Sequence, residues 1–134
     1  MIELAVCDTH ALLWHALGRR QKLGREGRAL FERADAGKAS IAVPVMVVVE
    51  VLEASRQGAI TFPSGAAEWL RSLTTSGSYF VADLTPEIAL KAHGLYAIAE
   101  RGDRLIAATA AHLGWPLITQ DAAIAAAAGV DVVW

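Results

Sequence analysis

Leu4-Ala5-Val6-Cys7-Asp8-Thr9-His10-Ala11-Leu12-Leu13-Trp14 carries the fold of this chain in eleven residues. Leu4 to Cys7 is an unbroken apolar run, and the short apolar stretch Ile2 to Cys7, bounded by a polar cluster, suits a buried strand. Asp8 ends the run, and Thr9 to Leu17 continues as a helix closed by Gly18. A buried strand that passes through an acid into a helix opens an α/β unit. In such folds ligands bind beyond the carboxyl ends of the strands, which is where Asp8 falls.

Further along, the same alternation recurs. The charged stretch Arg19 to Arg28 leads into a helix ending at Ala36-Gly37, and Ser40 to Val43 is a second strand. Val45 to Gln57 has the valines of a strand, but its length, Pro44 at its entry and Gly58 at its exit predict a helix. Ser64 to Leu73 places Ala66, Trp69, Leu70 and Leu73 at helical spacing, and Tyr79 to Ala82 follows as a strand. Thr85-Pro86 caps a helix predicted to reach about Ala99. Gly102-Asp103 starts another that Gly114 stops, and Leu117 to Thr119 is a strand. Asp121 caps Ala122 to Ala128, and Val130 to Val133 is the last strand. The expected fold class is α/β: one domain with a central parallel sheet of about four to five strands and helices on both faces.

Four acids stand at the joints of this pattern. Asp8 follows the first strand, Glu50 interrupts the apolar run Val47 to Leu52, Asp103 opens Leu105-Ile106-Ala107-Ala108, and Asp121 follows Pro116-Leu117-Ile118-Thr119. Each has a plain explanation by itself: Asp8, Asp103 and Asp121 are good N-caps. Glu50 is different, because a carboxylate among apolar neighbours needs a partner, either a cation or an arginine such as Arg104. Carboxylates gathered at one sheet edge repel one another, and a hard dication with oxygen ligands is the usual relief.

Composition narrows the chemistry. The chain has 134 residues, 54 % of them hydrophobic, enough for a core without staples. Twelve Lys and Arg against fourteen Asp and Glu leave a net charge of -2, so the surface as a whole is not a general nucleic-acid footprint. Cys7 is the single cysteine, which excludes an internal disulfide and fits a reducing compartment. The first arginines, Arg19 and Arg20, follow the apolar start, the reverse of a secretory signal, and the uncharged stretch from Leu105 to Gln120 is broken by His112, Gly114 and Pro116. These features point to a cytoplasmic protein. Cys7, His10, His15, His93 and His112 lack the spacing of a zinc site, and no nucleophile elbow, Walker loop or dinucleotide fingerprint is present; Gly24-Arg25-Glu26-Gly27 reads as a charged turn.

Taken together, Val6-Cys7-Asp8-Thr9-His10-Ala11-Leu12-Leu13-Trp14, Glu50 in its apolar helix, Asp103-Arg104-Leu105-Ile106-Ala107-Ala108-Thr109-Ala110 and Leu117-Ile118-Thr119-Gln120-Asp121 resemble the PIN-domain ribonucleases, specifically the VapC-type toxins of toxin–antitoxin modules. The resemblance spans almost the whole chain. It implies that Asp8, Glu50, Asp103 and Asp121 form the acidic quartet that binds Mg²⁺ or Mn²⁺, with Thr9 and Thr119 supporting it. It also implies an endoribonuclease that hydrolyses phosphodiester bonds, a homodimer, and a cognate antitoxin that occludes the site. Two local departures stand out. Glu100-Arg101-Gly102 replaces the Asp-Pro pair that many relatives carry before the third acid, and Val48-Val49 replaces the Ser or Trp common before the Glu.

Other readings stay open on the residues alone: an RNA-processing or repair nuclease on the same domain, a non-catalytic nucleic-acid or protein-binding domain, and a phosphotransferase using Asp8. The last lacks a second aspartate two residues on. For the RNA backbone, the concentrated basic segment Arg19, Arg20, Lys22, Arg25 and Arg28 is the first candidate and Arg101 with Arg104 the next, against the plainer reading of a solvated face. Trp14, Trp69, Trp115 and Trp134 read as core or interface anchors rather than base-stacking platforms.

Overall fold

The computed structural model describes residues 2–127 and 129–134. Strand β1 (Glu3–Cys7) buries Ala5, Val6 and Cys7 completely. Neighbouring strand residues point to opposite faces, so three in succession can be buried only if both faces are covered. Burial also pushes the Cys7 thiol well above its ordinary value, as befits a small core residue.

Helix α1 (Thr9–Ala16) follows at once, and a 3-10 turn at Arg20–Lys22 leads to α2 (Arg25–Asp35). The valine-rich segment resolves as predicted: β2 (Ala39–Pro44) ends at the proline, and α3 (Val45–Arg56) begins there. Pro44 supplies no N–H to a further ladder, and Gly58 (φ 79°) closes the far side. Next come α4 (Ala66–Thr75), β3 (Tyr79–Ala82), α5 (Pro86–His93), α6 (Arg101–Leu113), β4 (Leu117–Ile118), α7 (Ala122–Ala125) and β5 (Val132–Val133).

The five strands form one parallel sheet in the order β3-β2-β1-β4-β5. The chain builds outward from β1 to β3 and then returns to the other side of β1, so the switch in direction lies between β1 and β4. A crevice opens there at the carboxyl ends of the strands. Cys7 pairs with Ile118, which sets Asp8 beside Thr119.

Three expectations need correction. The helix from Pro86 stops at His93 rather than near Ala99. Ile88 and Ala92 pack on Ala108 of α6, whereas Ile98 belongs to the main core, and the chain must turn to serve both. The Arg104 guanidinium ties that turn down by donating to the carbonyls of Ile98 (2.9 Å) and Ala99 (2.6 Å). Arg104 is therefore not the partner of Glu50. The helix capped by Asp121 ends at Ala125, with Ala128 outside the described residues. The expected last strand from Val130 shrinks to Val132–Val133.

Gly24 to Gly27 is more than a charged turn. A Cβ on Gly24 would lie 2.2 Å from the carbonyl carbon of Trp134, and one on Gly27 would lie 2.8 Å from Cγ2 of Ile118. The two glycines at the start of α2 thus receive β4 and the residue after β5. The Glu26 N–H donates to the Trp134 carbonyl at 3.0 Å, closing the seam.

Among the described residues, no helix is long and apolar enough to cross a membrane.

Candidate functional site

All four acids line one cavity of about 690 Å³ at the switch point, together with Glu100, Thr9 and Gln120. Each reaches it by a different route. Asp8 occupies the N-cap of α1: the Ala11 N–H donates to Oδ1 at 2.8 Å, and the Thr119 hydroxyl donates to Oδ2 at 2.6 Å. The Thr119 oxygen also accepts the Asp121 N–H at 3.1 Å, so one hydroxyl links the ends of β1 and β4. Asp121 caps α7, its Oδ1 accepting from Ala123 and Ile124 N–H groups at 2.8 and 3.1 Å. Glu50 lies on the stripe of α3 that includes Met46 and Ala54, and its Oε1 accepts from the Thr9 hydroxyl.

Asp103 departs from the simple cap expected of it. Helix α6 begins at Arg101 with Glu100 in the cap position, which places Asp103 in the first turn, and its side chain caps nothing among the described residues. Capping thus accounts for Asp8 and Asp121 but leaves Asp103 unexplained.

The electrostatics match a shared cation site. Burial raises the Asp8 carboxyl above its ordinary value, against the lowering by Thr119, Ala11 and His10, and Asp121 adds to the rise. Asp103 is raised first by burial and then by Asp121, Glu50, Glu100 and Asp8 in turn. Four acids therefore penalise a single charge. Among the described residues, no three His, Cys, Asp or Glu side chains stand close enough to hold one bare ion. The acids instead surround an open space, and this suits a hydrated ion, because Mg²⁺ usually keeps several waters and takes only one or two carboxylates directly. The all-oxygen donor set fits a hard dication and gives a soft metal nothing to select it.

Ionised Asp103 opposes folding of the metal-free protein. Its folded-state pKa exceeds the unfolded value, so the cost is present in full above the folded pKa and disappears as pH falls to the unfolded value of about 3.8. Asp103→Asn is accordingly expected to raise the apo melting temperature at pH 7, with the gain shrinking toward pH 4. Mg²⁺ at a hundred times its Kd should contribute about 2.7 kcal/mol to wild type and less to the variant. Thermal melts across pH, with and without Mg²⁺, check both points. A loss of apo stability at pH 7 would contradict the repulsion argument.

The structure also brings in residues that sequence reasoning assigned elsewhere. Trp14 and Trp134 form a wall of the cavity, their rings 5.7 Å apart in an edge contact, and His10 leans on Trp14 at 5.7 Å. Trp69 stacks on Phe62 and Trp115 meets Phe80, as anchors do. No local signal marked Trp134, although the paired glycines that receive it were visible. Of the basic candidates, Lys22 sits 5.8 Å over the Trp14 ring and so adjoins the rim. Arg20 and Arg28 face Glu32 at 3.9 and 3.3 Å. Arg101 and Arg104 line a separate cavity with His93 and Tyr96 on the α5 side, not the acidic one.

Comparison with known proteins agrees with this fold. No curated protein matches the sequence. Many solved structures share the fold, and three of them illustrate it. VapBC2 from Rickettsia felis bound to a promoter DNA fragment has a TM-score of 0.74 at 13 % identity, with 98 % of each chain covered. A toxin-antitoxin complex from Klebsiella pneumoniae gives 0.66 at 21 %, covering 97 % of this chain and 96 % of that one. VapBC-5 from Mycobacterium tuberculosis gives 0.59 at 22 %, with 97 % of each covered. The sequence pattern of the PIN domain matches residues 5–130, a span that holds most of the sheet and every acid of the cavity, and the chain therefore belongs to the PIN domain family.

Proposed function

We propose that the protein is a Mg²⁺- or Mn²⁺-dependent endoribonuclease toxin of the VapC type, acting in the cytoplasm and neutralised by a cognate antitoxin. The observation that carries this reading is the convergence of Asp8, Glu50, Asp103 and Asp121 on one cavity at the switch point of a PIN-domain sheet. The solved neighbours described as toxin–antitoxin complexes support the antitoxin partner; the homodimer rests on the family resemblance alone.

When bound, the dication supplies charge neutralisation at the phosphate and a more acidic attacking water. The protein supplies position. Asp8 and Asp121 offer oxygens held by N–H and hydroxyl donors, so little rotamer freedom is lost when they engage a ligand. Glu50 has one oxygen occupied by Thr9 and the other directed to the first turn of α6, where it can hold metal or orient the water. Asp103 brings a charge that burial and the neighbouring acids oppose, and a cation relieves it. Lys22 and the neighbouring Arg19 and Arg20 draw the RNA backbone toward the Trp14 rim without reading bases.

The test is cleavage of RNA by the purified chain. Activity should require Mg²⁺ or Mn²⁺, vanish in excess EDTA and return when metal is restored; expression should arrest growth, and co-expressed antitoxin should relieve it. Undiminished cleavage in EDTA would exclude metal dependence. RNA binding without cleavage would indicate a non-catalytic domain, and cleavage without growth arrest a processing nuclease.

A further inference from the structure

Gly102 lies within helix α6, yet it is one of three glycines at which a side chain would meet a neighbour closer than 3.0 Å. A Cβ built there would lie 2.6 Å from Glu50 Oε2, 3.4 Å from Glu50 Cδ and 3.6 Å from Met46 Cε. The backbone does not require glycine, since its φ is not in the left-handed region. Only space requires it. At the other side, Oε1 of the same carboxylate receives the Thr9 hydroxyl, so the Glu50 head is held between α1 and the first turn of α6.

We propose that Gly102 is a positioning residue for Glu50: its missing side chain is the seat in which the Glu50 carboxylate rests, one residue from Asp103, so that the two acids serve the same cation. The Glu50 side chain is flexible, so a Cβ in the seat would be met by the carboxylate swinging aside, out of the position in which it accepts the Thr9 hydroxyl. The segment Glu100-Arg101-Gly102 thereby has a role of its own. Arg101 points to the α5 side, Glu100 faces the acidic cavity, and Gly102 between them leaves room for an acid from another helix.

The inference rests on the metal-dependent reading above, and the test separates the two. Gly102→Ala is compared in wild type and in a Glu50→Ala background. Alanine reduces the freedom of the unfolded chain and favours the helix, so with the carboxylate gone the substitution should raise the apo melting temperature. With Glu50 present the gain should be cancelled or reversed, a difference between backgrounds of roughly 2–8 °C. In the Gly102→Ala single variant, calorimetry should show Mn²⁺ binding weakened roughly 10- to 100-fold, the scale seen when the support of a metal ligand is lost. Equal melting shifts in the two backgrounds overturn the proposal, as does unchanged Mn²⁺ affinity. If wild type binds no Mn²⁺, the proposed function fails and the melting comparison alone decides whether Gly102 seats Glu50.

Discussion

Asp8→Asn, Glu50→Gln, Asp103→Asn and Asp121→Asn are each expected to lower the rate of Mg²⁺-dependent RNA cleavage by more than about a hundredfold while leaving the protein folded. The magnitude follows from the position of these groups. Loss of a residue that merely supports a metal ligand costs about 10- to 100-fold, and loss of the ligand itself should cost more. Preserved folding follows from the electrostatics, because burial and mutual repulsion already raise Asp8 and Asp103 and an uncharged amide removes that penalty. Asp121→Asn keeps an oxygen for the Ala123 and Ile124 N–H groups, so α7 stays capped. Initial cleavage rates paired with circular-dichroism melts decide the matter. A variant that melts like wild type and cleaves at the wild-type rate would remove its residue from the site, and toxicity undiminished in all four would require a different chemistry.

The largest effect expected on stability comes from a residue with no side chain at all. In Gly24→Ala the new Cβ would lie 2.2 Å from the Trp134 carbonyl carbon and 2.4 Å from Cδ1 of its ring. A backbone carbon cannot rotate aside, so either the start of α2 or the end of the sheet must move. Overpacking of this kind costs about 1–3 kcal/mol. Displacement would also break the Glu26 to Trp134 hydrogen bond, worth about 0.5–1.5 kcal/mol. Because Trp134 meets Trp14 on the cavity wall, RNA affinity should fall along with stability. Gly94→Ala is the control: the added Cβ finds only the Lys91 carbonyl at 3.5 Å, and stability should hold or rise. Urea denaturation of the two variants gives the comparison, and equal stability would show that the seam at Gly24 yields freely.

What could be read in the sequence was whatever depends on neighbours along the chain. The apolar run before Asp8 specifies a strand buried on both faces, and Pro44 with the length of the segment after it outweighs the strand preference of valines in α3. The four acids could be found because each interrupts such a pattern, and the threonines near two of them proved to donate to other acids of the set, Thr9 to Glu50 and Thr119 to Asp8. What could not be read depends on distant neighbours. Helix α5 ends early because Ile98 is needed in another part of the core, a demand invisible from its own helical spacing. Asp103 has the sequence signature of a cap, yet a start one turn earlier, at Arg101, makes it a charge facing the cavity. Gly24 and Gly102 look like turn residues, and their partners lie 110 and 52 positions away in the numbering.

The return of the chain to β4 and β5 has a consequence for how the protein breathes. Both strands are two residues long, and α7 between them has four. Their ladders are short, and it is the burial of Leu117, Ile118 and Ile124 in the core that holds them down. One of the four acids of the proposed site is therefore attached to this short flap: Asp121 and Trp134 travel with it, while Asp8, Glu50 and Asp103 stay with the rest of the fold. The bond from Thr119 to Asp8 is the latch between the two parts. An ion shared by Asp8 and Asp121 would act as a second latch, slowing amide exchange in β4 and α7, so that occupancy of the site and closure of this flap would rise and fall together.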